Sequence, residues 1–205
     1  MIFNGEMVRA ILEGRKTQTR RVLATYQDAV KFCPEWDVNG KQIFIVLGEK
    51  DHTGMNPVIT AIPCPFGQPG DRVWVRETFR VHSRATDVAT LVYRASVRNS
   101  WTEQTHRVPV AVCNKPATLE KWTPSIHMPR WASRITLEIT GVRVERLNSI
   151  TESDAEAEGV TDTGFGDLLV DGYRYLWKSI YGEESWAANP WVWVIEFKRV
   201  EGGAA

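Results

Sequence analysis

The sequence has few residues that could bind a metal or form disulfide bonds. Its 205 residues include three cysteines and four histidines. No Cys-x-x-Cys pair occurs, and the histidines do not have the spacing of a zinc motif. We therefore expect no metal site and no cofactor. Three reduced thiols are typical of a cytoplasmic protein.

The sequence also lacks net charge and long apolar runs. Its 25 Lys and Arg residues balance its 25 Asp and Glu residues, whereas proteins that coat nucleic acid without specificity neutralise many phosphates. A local basic pocket remains compatible with this balance. The first residues do not form an apolar signal segment, and no apolar run reaches the length of a membrane span. We expect a cytoplasmic protein without a membrane partner.

The most concentrated group of reactive side chains lies in residues 14–21, with the sequence GRKTQTRR, which we call the basic segment. It follows a predicted short amphipathic helix that Asn4 can cap and that Gly14 can end in the left-handed conformation. If the segment is extended, Lys16 and Thr19 point to opposite sides, whereas a bend would bring them together. On composition alone, the simplest interpretation is a solvated basic turn.

An acidic helix is predicted after a strand at residues 135–144. Thr151-x-x-Asp154 is a variant of the capping box, and Gly159 ends the helix. Glu158 is the carboxylate nearest the helix C-terminus, where the helix dipole disfavours negative charge. We therefore expect Glu158 to have a partner or a raised pKa.

Four blocks of this sequence resemble ASCH-domain proteins, which share a PUA-like β-barrel. The helix followed by G-R-K-T-x-T-x-R resembles their opening motif. Three later blocks follow in the family's order, at residues 69–75 (PGDRVWV), 135–159 and 191–200. Together the four blocks cover about half of the chain.

The resemblance implies an α+β fold, in the form of a PUA-like mixed β-barrel with short flanking helices. It implies a single domain over residues 1–200, with insertions at roughly 30–66 and 80–127 and a flexible tail at 201–205. Such long insertions in a compact domain are uncommon unless they serve a site or are disordered.

Compact bacterial members of this family hydrolyse the amide of N4-acetylcytidine, and they use a lysine, a threonine and a glutamate. The matching positions here are Lys16, Thr19 and Glu158. The resemblance thus implies a metal-independent amidohydrolase whose partner is a small nucleoside substrate. Two routes stay open, because Lys16 could activate the Thr19 hydroxyl, or Glu158 could activate water while Lys16 stabilises the oxyanion.

Five further residues are candidates for substrate binding. Arg21 matches a family arginine. Arg76 and Glu77 follow the apolar part of a predicted strand, although a surface ion pair is an equally good interpretation. Arg130 and Trp131 combine a cation with an aromatic plane, which could stack on a base or simply pack the loop.

Two other functions fit the same residues. One is an RNA- or modified-base-binding module without catalysis, in which the basic segment and Arg130-Trp131 read the ligand. The other is a nuclease or accessory protein of a mobile element, because the large Trp-rich insertions resemble those of phage-related ASCH proteins.

Overall fold

The fold belongs to the mixed α+β class, with mostly antiparallel sheets and a few short helices. The computed structural model of the chain describes residues 1–96, 105–118, 120–161 and 168–200. The predicted α+β class is confirmed. Within the described residues, no helix is both long enough and apolar enough to cross a membrane.

The described helices and strands are numbered in chain order. The helices are α1 (Gly5–Leu12), α2 (Glu152–Ala157), α3 (Leu169–Tyr181) and α4 (Glu184–Ala187). The strands are β1 (Gln18–Val22), β2 (Lys31–Trp36), β3 (Gln42–Leu47), β4 (Val58–Pro63), β5 (Arg72–Trp74), β6 (Phe79–Arg84), β7 (Val88–Tyr93), β8 (Thr105–Pro109), β9 (Thr136–Arg146) and β10 (Trp191–Val200).

The chain divides into two compact units. The first comprises Met1–Gly14, Arg72–Leu137 and the residues from Arg199 onward, and the second comprises Arg15–Asp71 and Glu138–Lys198. The sheet β2-β3-β4 lies in the second unit, within the predicted insertion at 30–66. The sheet β6-β7-β8 lies in the first unit, almost entirely within the predicted insertion at 80–127. Each predicted insertion therefore contains its own three-stranded antiparallel sheet.

In the second unit, β1, β10 and β9 are neighbours in that order. β1 pairs antiparallel with β10, so that Arg20 lies opposite Val194 and Thr19 lies opposite Ile195. Residues directly opposite each other share a face of the sheet. Val194 packs in a buried cluster with residues of α2 and α3, namely Leu147, Ile150, Ala155, Tyr173, Trp177 and Val192. Arg20 therefore lies on the helix-covered face of this sheet.

The opposite face of β10 meets the second sheet of the same unit. The ring of Trp193 contacts Phe44 of β3 edge to face, with centroids 5.1 Å apart. Since Trp193 directly precedes Val194, it points to the other side of β10. The sheet β1-β10-β9 is thus covered by α2 and α3 on one face and by β3 on the other.

The first unit has a separate core around β6, β7 and β8. Its buried cluster joins strand residues with Met128 and Ala132, which belong to the connection before β9. The cluster also contains Phe79, Val81, Ala89, Leu91, Tyr93, Val108 and Cys113. The two short 3₁₀ turns in that connection, Ser125–His127 and Arg130–Ala132, bring the connection back against the sheet.

Candidate functional site

The basic segment leaves α1 and enters the second unit as extended chain. Gly14 has a φ of +76°, the left-handed conformation predicted for it. The backbone N–H of Thr17 donates to the carbonyl of Ala157 at 2.8 Å, and the carbonyl of Thr17 accepts from Phe197 at 2.8 Å. The segment is therefore held between β10 and the C-terminal end of α2.

Helix α2 begins with the predicted capping box. The Thr151 hydroxyl accepts a hydrogen bond from the Asp154 backbone N–H, and the Asp154 carboxylate accepts from the Thr151 backbone N–H. The helix ends with Glu158 as its C-cap residue. These two ends orient α2 so that Asp154 and Glu158 both point toward the basic segment.

Lys16 and Glu158 form a buried ion pair. The Lys16 Nζ lies 2.6 Å from Glu158 Oε2, and the side chains are 0% and 2% exposed. The same Nζ donates to the Glu158 backbone carbonyl at 2.8 Å. The predicted partner for Glu158 is confirmed. The interpretation of the segment as a solvated turn is wrong, because residues 16 and 18–20 are buried between α2 and β10.

Burial lowers the pKa of Lys16, because removal from water disfavours the charged ammonium. The negative charge of Glu158 and its hydrogen bond offset part of this shift, and the positive charges of Arg21 and Arg20 add to it. Lys16 is therefore easier to deprotonate than an ordinary lysine. A lysine of this kind is suited to proton transfer.

Arg20 connects the Lys16–Glu158 pair to two more carboxylates. Its guanidinium lies 3.4 Å from Glu158 Oε1, 2.6 Å from Glu145 Oε1 and 3.3 Å from Asp154 Oδ2. It also lies over the ring of Tyr173, with 5.8 Å from Cζ to the ring centroid. Since the Arg20 side chain is fully buried, these carboxylates supply hydrogen bonds to Nη1 and Nη2 that water would otherwise make, whereas Nε has no hydrogen-bond partner among the described residues.

Arg143 completes the group of charges at its more exposed edge. It contacts Glu145 at 3.0 Å, Asp154 at 2.7 Å and Glu196. Three cations thus contact four carboxylates, and we call this set the charged network. Its members are Lys16, Arg20, Arg143, Glu145, Asp154, Glu158 and Glu196.

Sequence reasoning missed Arg20, Glu145 and Arg143 as members of the site. Arg20 lies in the basic segment, and strand alternation predicts that it shares a face with Lys16. Arg143 and Glu145 are two residues apart on β9 and so share a face. The strand order β1-β10-β9 places that face on the same side of the sheet as Arg20.

Asp154 has a strongly acidic carboxyl group. Burial raises its pKa, but this is outweighed by hydrogen bonds from the Thr151 backbone and hydroxyl and by the charges of Arg20 and Arg143. Together they lower the pKa of Asp154 to about 2, from an ordinary value of 3.8. Because the unfolded chain then takes up this proton first, Asp154 stabilises the folded state above pH 3.8, and that contribution decreases as the pH falls toward 2.

Replacing Asp154 with asparagine should remove this part of the acid dependence. At neutral pH we expect Asp154→Asn to be less stable than the wild type, and the difference should shrink as the pH falls from about 4 to about 2. Urea unfolding at several pH values measures this. Glu156→Gln, on the exposed side of the same helix, is the matched control. A difference for Asp154→Asn that stays constant with pH would contradict the assignment.

Thr19 and Arg21 lie on the other face of β1. Their partners across the strand pair are Ile195 and Trp193, on the face that meets β3. Thr19 is buried, and its hydroxyl makes no hydrogen bond to Lys16 or Glu158 among the described residues. The structure brings Lys16 and Glu158 together and does not join Thr19 to them by a hydrogen bond.

The other predicted binding residues belong to the first unit. Glu77 is buried and forms two hydrogen bonds with Arg134, at 2.8 and 3.0 Å, so it does not form the surface ion pair considered from sequence. The Arg76 guanidinium lies 4.5 Å from the centroid of the Trp74 ring. Arg130 is exposed, whereas Trp131 packs edge to face against Phe79, with centroids 6.1 Å apart.

No set of three or more His, Cys, Asp or Glu side chains with the arrangement of a metal site occurs in the described part of the chain. In comparisons with known proteins, no protein-family model, curated protein or solved structure matches this chain. The resemblance to ASCH-domain proteins therefore depends on the sequence motifs alone.

Proposed function

We propose that this chain is an ASCH-domain protein with a PUA-like β-barrel, and that it is a metal-independent amidohydrolase acting on N4-acylated cytosine nucleosides. The observation that carries the proposal is the buried Lys16–Glu158 pair, with Nζ and Oε2 2.6 Å apart. These two residues match the lysine and glutamate of the family motif, and they lie 142 positions apart in the sequence. Their direct contact supports a shared chemical role.

Hydrolysis of the N4-acyl amide requires two proton transfers. An oxygen nucleophile loses a proton as it adds to the acyl carbon, and the cytosine N4 gains a proton as the C–N4 bond breaks. The products are the carboxylic acid and the cytosine nucleoside. A lysine with a lowered pKa beside a carboxylate can accept the first proton and return it to N4. The guanidinium of Arg20, which lies 3.4 Å from Glu158 Oε1, is a hydrogen-bond donor that can stabilise the negative oxygen that forms on the acyl carbon.

The two side chains are almost fully covered in this conformation. A substrate can therefore reach them only if the side chains covering them move. Once a substrate is bound, exclusion of water strengthens the electrostatic interactions at the pair. The proposed reaction thus includes an opening step before the chemistry.

The attacking oxygen belongs either to Thr19 or to water. Thr19 lies on the strand face opposite Arg20 and is not hydrogen-bonded to Lys16 or Glu158 among the described residues. Its position favours water as the nucleophile, activated at the Lys16–Glu158 pair. Thr19→Val tests this, because valine keeps the shape of the side chain and removes only the hydroxyl. Loss of turnover in a folded Thr19→Val protein would assign the attack to Thr19.

The test of the function is hydrolysis of N4-acetylcytidine, followed by ultraviolet absorbance with EDTA present. We expect turnover by the wild type and a loss of at least about 100-fold in Lys16→Met/Glu158→Leu, since general acid–base catalysis contributes on that scale. The double variant is used because it removes both charges together and so leaves no buried unpaired charge. Circular dichroism and thermal unfolding confirm that it is folded.

Two results would contradict this function. One is the absence of turnover by the folded wild-type protein. The other is turnover that survives in the folded double variant, which would show that the pair has no part in the reaction. Turnover that disappears with EDTA would instead assign the reaction to a metal and contradict metal independence.

A further inference from the structure

A pocket in the first unit has the features of a second ligand site. It is a cleft of about 320 Å³ between Val81 of β6 and residues 115, 116, 118, 121–124 and 127. Sites for small molecules begin at about this volume. All of its lining residues belong to the first unit, and none belongs to the charged network.

The apolar part of the pocket is formed by a flat aromatic ring and aliphatic side chains. Trp122 supplies the ring, and Val81, Pro116 and Pro124 supply aliphatic surface. The guanidinium of Arg80 lies over the Trp122 ring, with 5.0 Å from Cζ to the centroid. This cation–π contact helps to fix the orientation of the ring. A surface of this kind suits a planar apolar group.

The polar part of the pocket is basic. Lys115, Lys121 and His127 line it, and no aspartate or glutamate is among the described residues that do so. Lysine ammonium groups attract anions, and lysine is a common ligand of phosphate. The ligand that matches both parts is therefore a planar ring that carries an anionic group.

The wall of the pocket is anchored to the sheet, so the cavity is present before a ligand binds. The backbones of Thr123 and Phe79 exchange two hydrogen bonds, at 2.8 and 3.2 Å. The backbone N–H of Thr118 donates to the carbonyl of Val81 at 2.9 Å, and its hydroxyl donates to the carbonyl of Lys121 at 3.0 Å. A preformed cavity lowers the entropic cost of ordering the site on binding.

We propose that this pocket binds a nucleoside monophosphate, with the base against Trp122 and the phosphate at Lys115 and Lys121. The proposal does not depend on amidohydrolase activity at Lys16 and Glu158. It assigns the first unit a binding role that is separate from the reaction proposed for the second unit.

Isothermal titration calorimetry with cytidine 5′-monophosphate tests this proposal, with cytidine as the uncharged reference. We expect the monophosphate to bind the wild type at least about tenfold more tightly than cytidine does, since hydrogen bonds to charged groups contribute on that scale. Lys115→Met/Lys121→Met should remove this difference. Binding of the monophosphate should also weaken as the salt concentration rises.

Trp122→Leu should weaken the binding of both the monophosphate and cytidine, because it removes the aromatic surface that both bases would contact. Lys41→Met, an exposed lysine in the second unit, is the matched control and should bind both ligands as the wild type does. The proposal is overturned if the wild type does not bind the monophosphate at about 1 mM. It is also overturned if the Lys115→Met/Lys121→Met protein binds it unchanged, since the phosphate is then held elsewhere.

Discussion

Replacing Lys16 with methionine is expected to lower the free energy of unfolding by about 3–5 kcal/mol, the usual cost of removing one partner of a buried ion pair. Methionine retains most of the aliphatic stem of lysine but loses the ammonium group. Glu158 then stays buried, with its Oε2 deprived of the partner at 2.6 Å, while Arg20 remains 3.4 Å from its Oε1. Equilibrium unfolding in urea at pH 7 measures the change.

The double variant Lys16→Met/Glu158→Leu is the control for this experiment. It removes both charges and fills the space with apolar side chains, so it should recover most of the stability that Lys16→Met loses. Recovery would show that the loss comes from an unpaired carboxylate and not from altered packing. If Lys16→Met costs less than about 1 kcal/mol, the pair behaves as an exposed surface pair and its assigned burial is wrong.

This stability effect also determines how activity must be tested. A Lys16 variant that loses turnover could have lost either a catalytic group or its fold. The double variant and Thr19→Val separate these possibilities, because neither leaves a buried charge without a partner. A test of the proposed catalytic role of Lys16 therefore needs the measured stability of each variant.

Local features of the site could be read from the sequence because they depend on near neighbours. Asn4 caps α1 by accepting from the Met7 backbone N–H at 2.8 Å, and Thr151 and Asp154 form the predicted capping box. The expectation that Glu158 needs a partner also follows from its position at the end of one helix. In each case the physical cause lies within a few residues of the pattern that predicts it.

The partners across the charged network could not be read from the sequence. Arg20 contacts Glu145 and Glu158, which lie 125 and 138 positions away. These contacts follow from the strand order β1-β10-β9, and the sequence patterns do not determine which strands become neighbours. The same reason explains the mistaken solvated-turn interpretation, since burial of the basic segment requires carboxylates supplied by α2 and β9.

Arg20 and Arg143 have the same side chain and share two carboxylate partners but differ in burial, so comparing them isolates the effect of burial. Both guanidinium groups contact Glu145 and Asp154, but the Arg20 side chain is 0% exposed, whereas that of Arg143 is 36% exposed. We expect Arg20→Met to lower the free energy of unfolding by about 3–5 kcal/mol. Arg143→Met should cost only about 1 kcal/mol, because water can replace its contacts.

We expect the larger loss of stability for Arg20→Met because the carboxylates that contact Arg20 would stay buried without it. Without Arg20, water does not reach the inner side of the network, and Glu158 loses its second cationic partner. Urea unfolding of the two variants at pH 7 and at low and high salt measures the difference. The Arg143→Met effect should decrease as salt screens the exposed charges, whereas the Arg20→Met effect should persist. If the two variants lose the same free energy of unfolding, water reaches the whole network. The Lys16–Glu158 pair would then not be protected from solvent by burial.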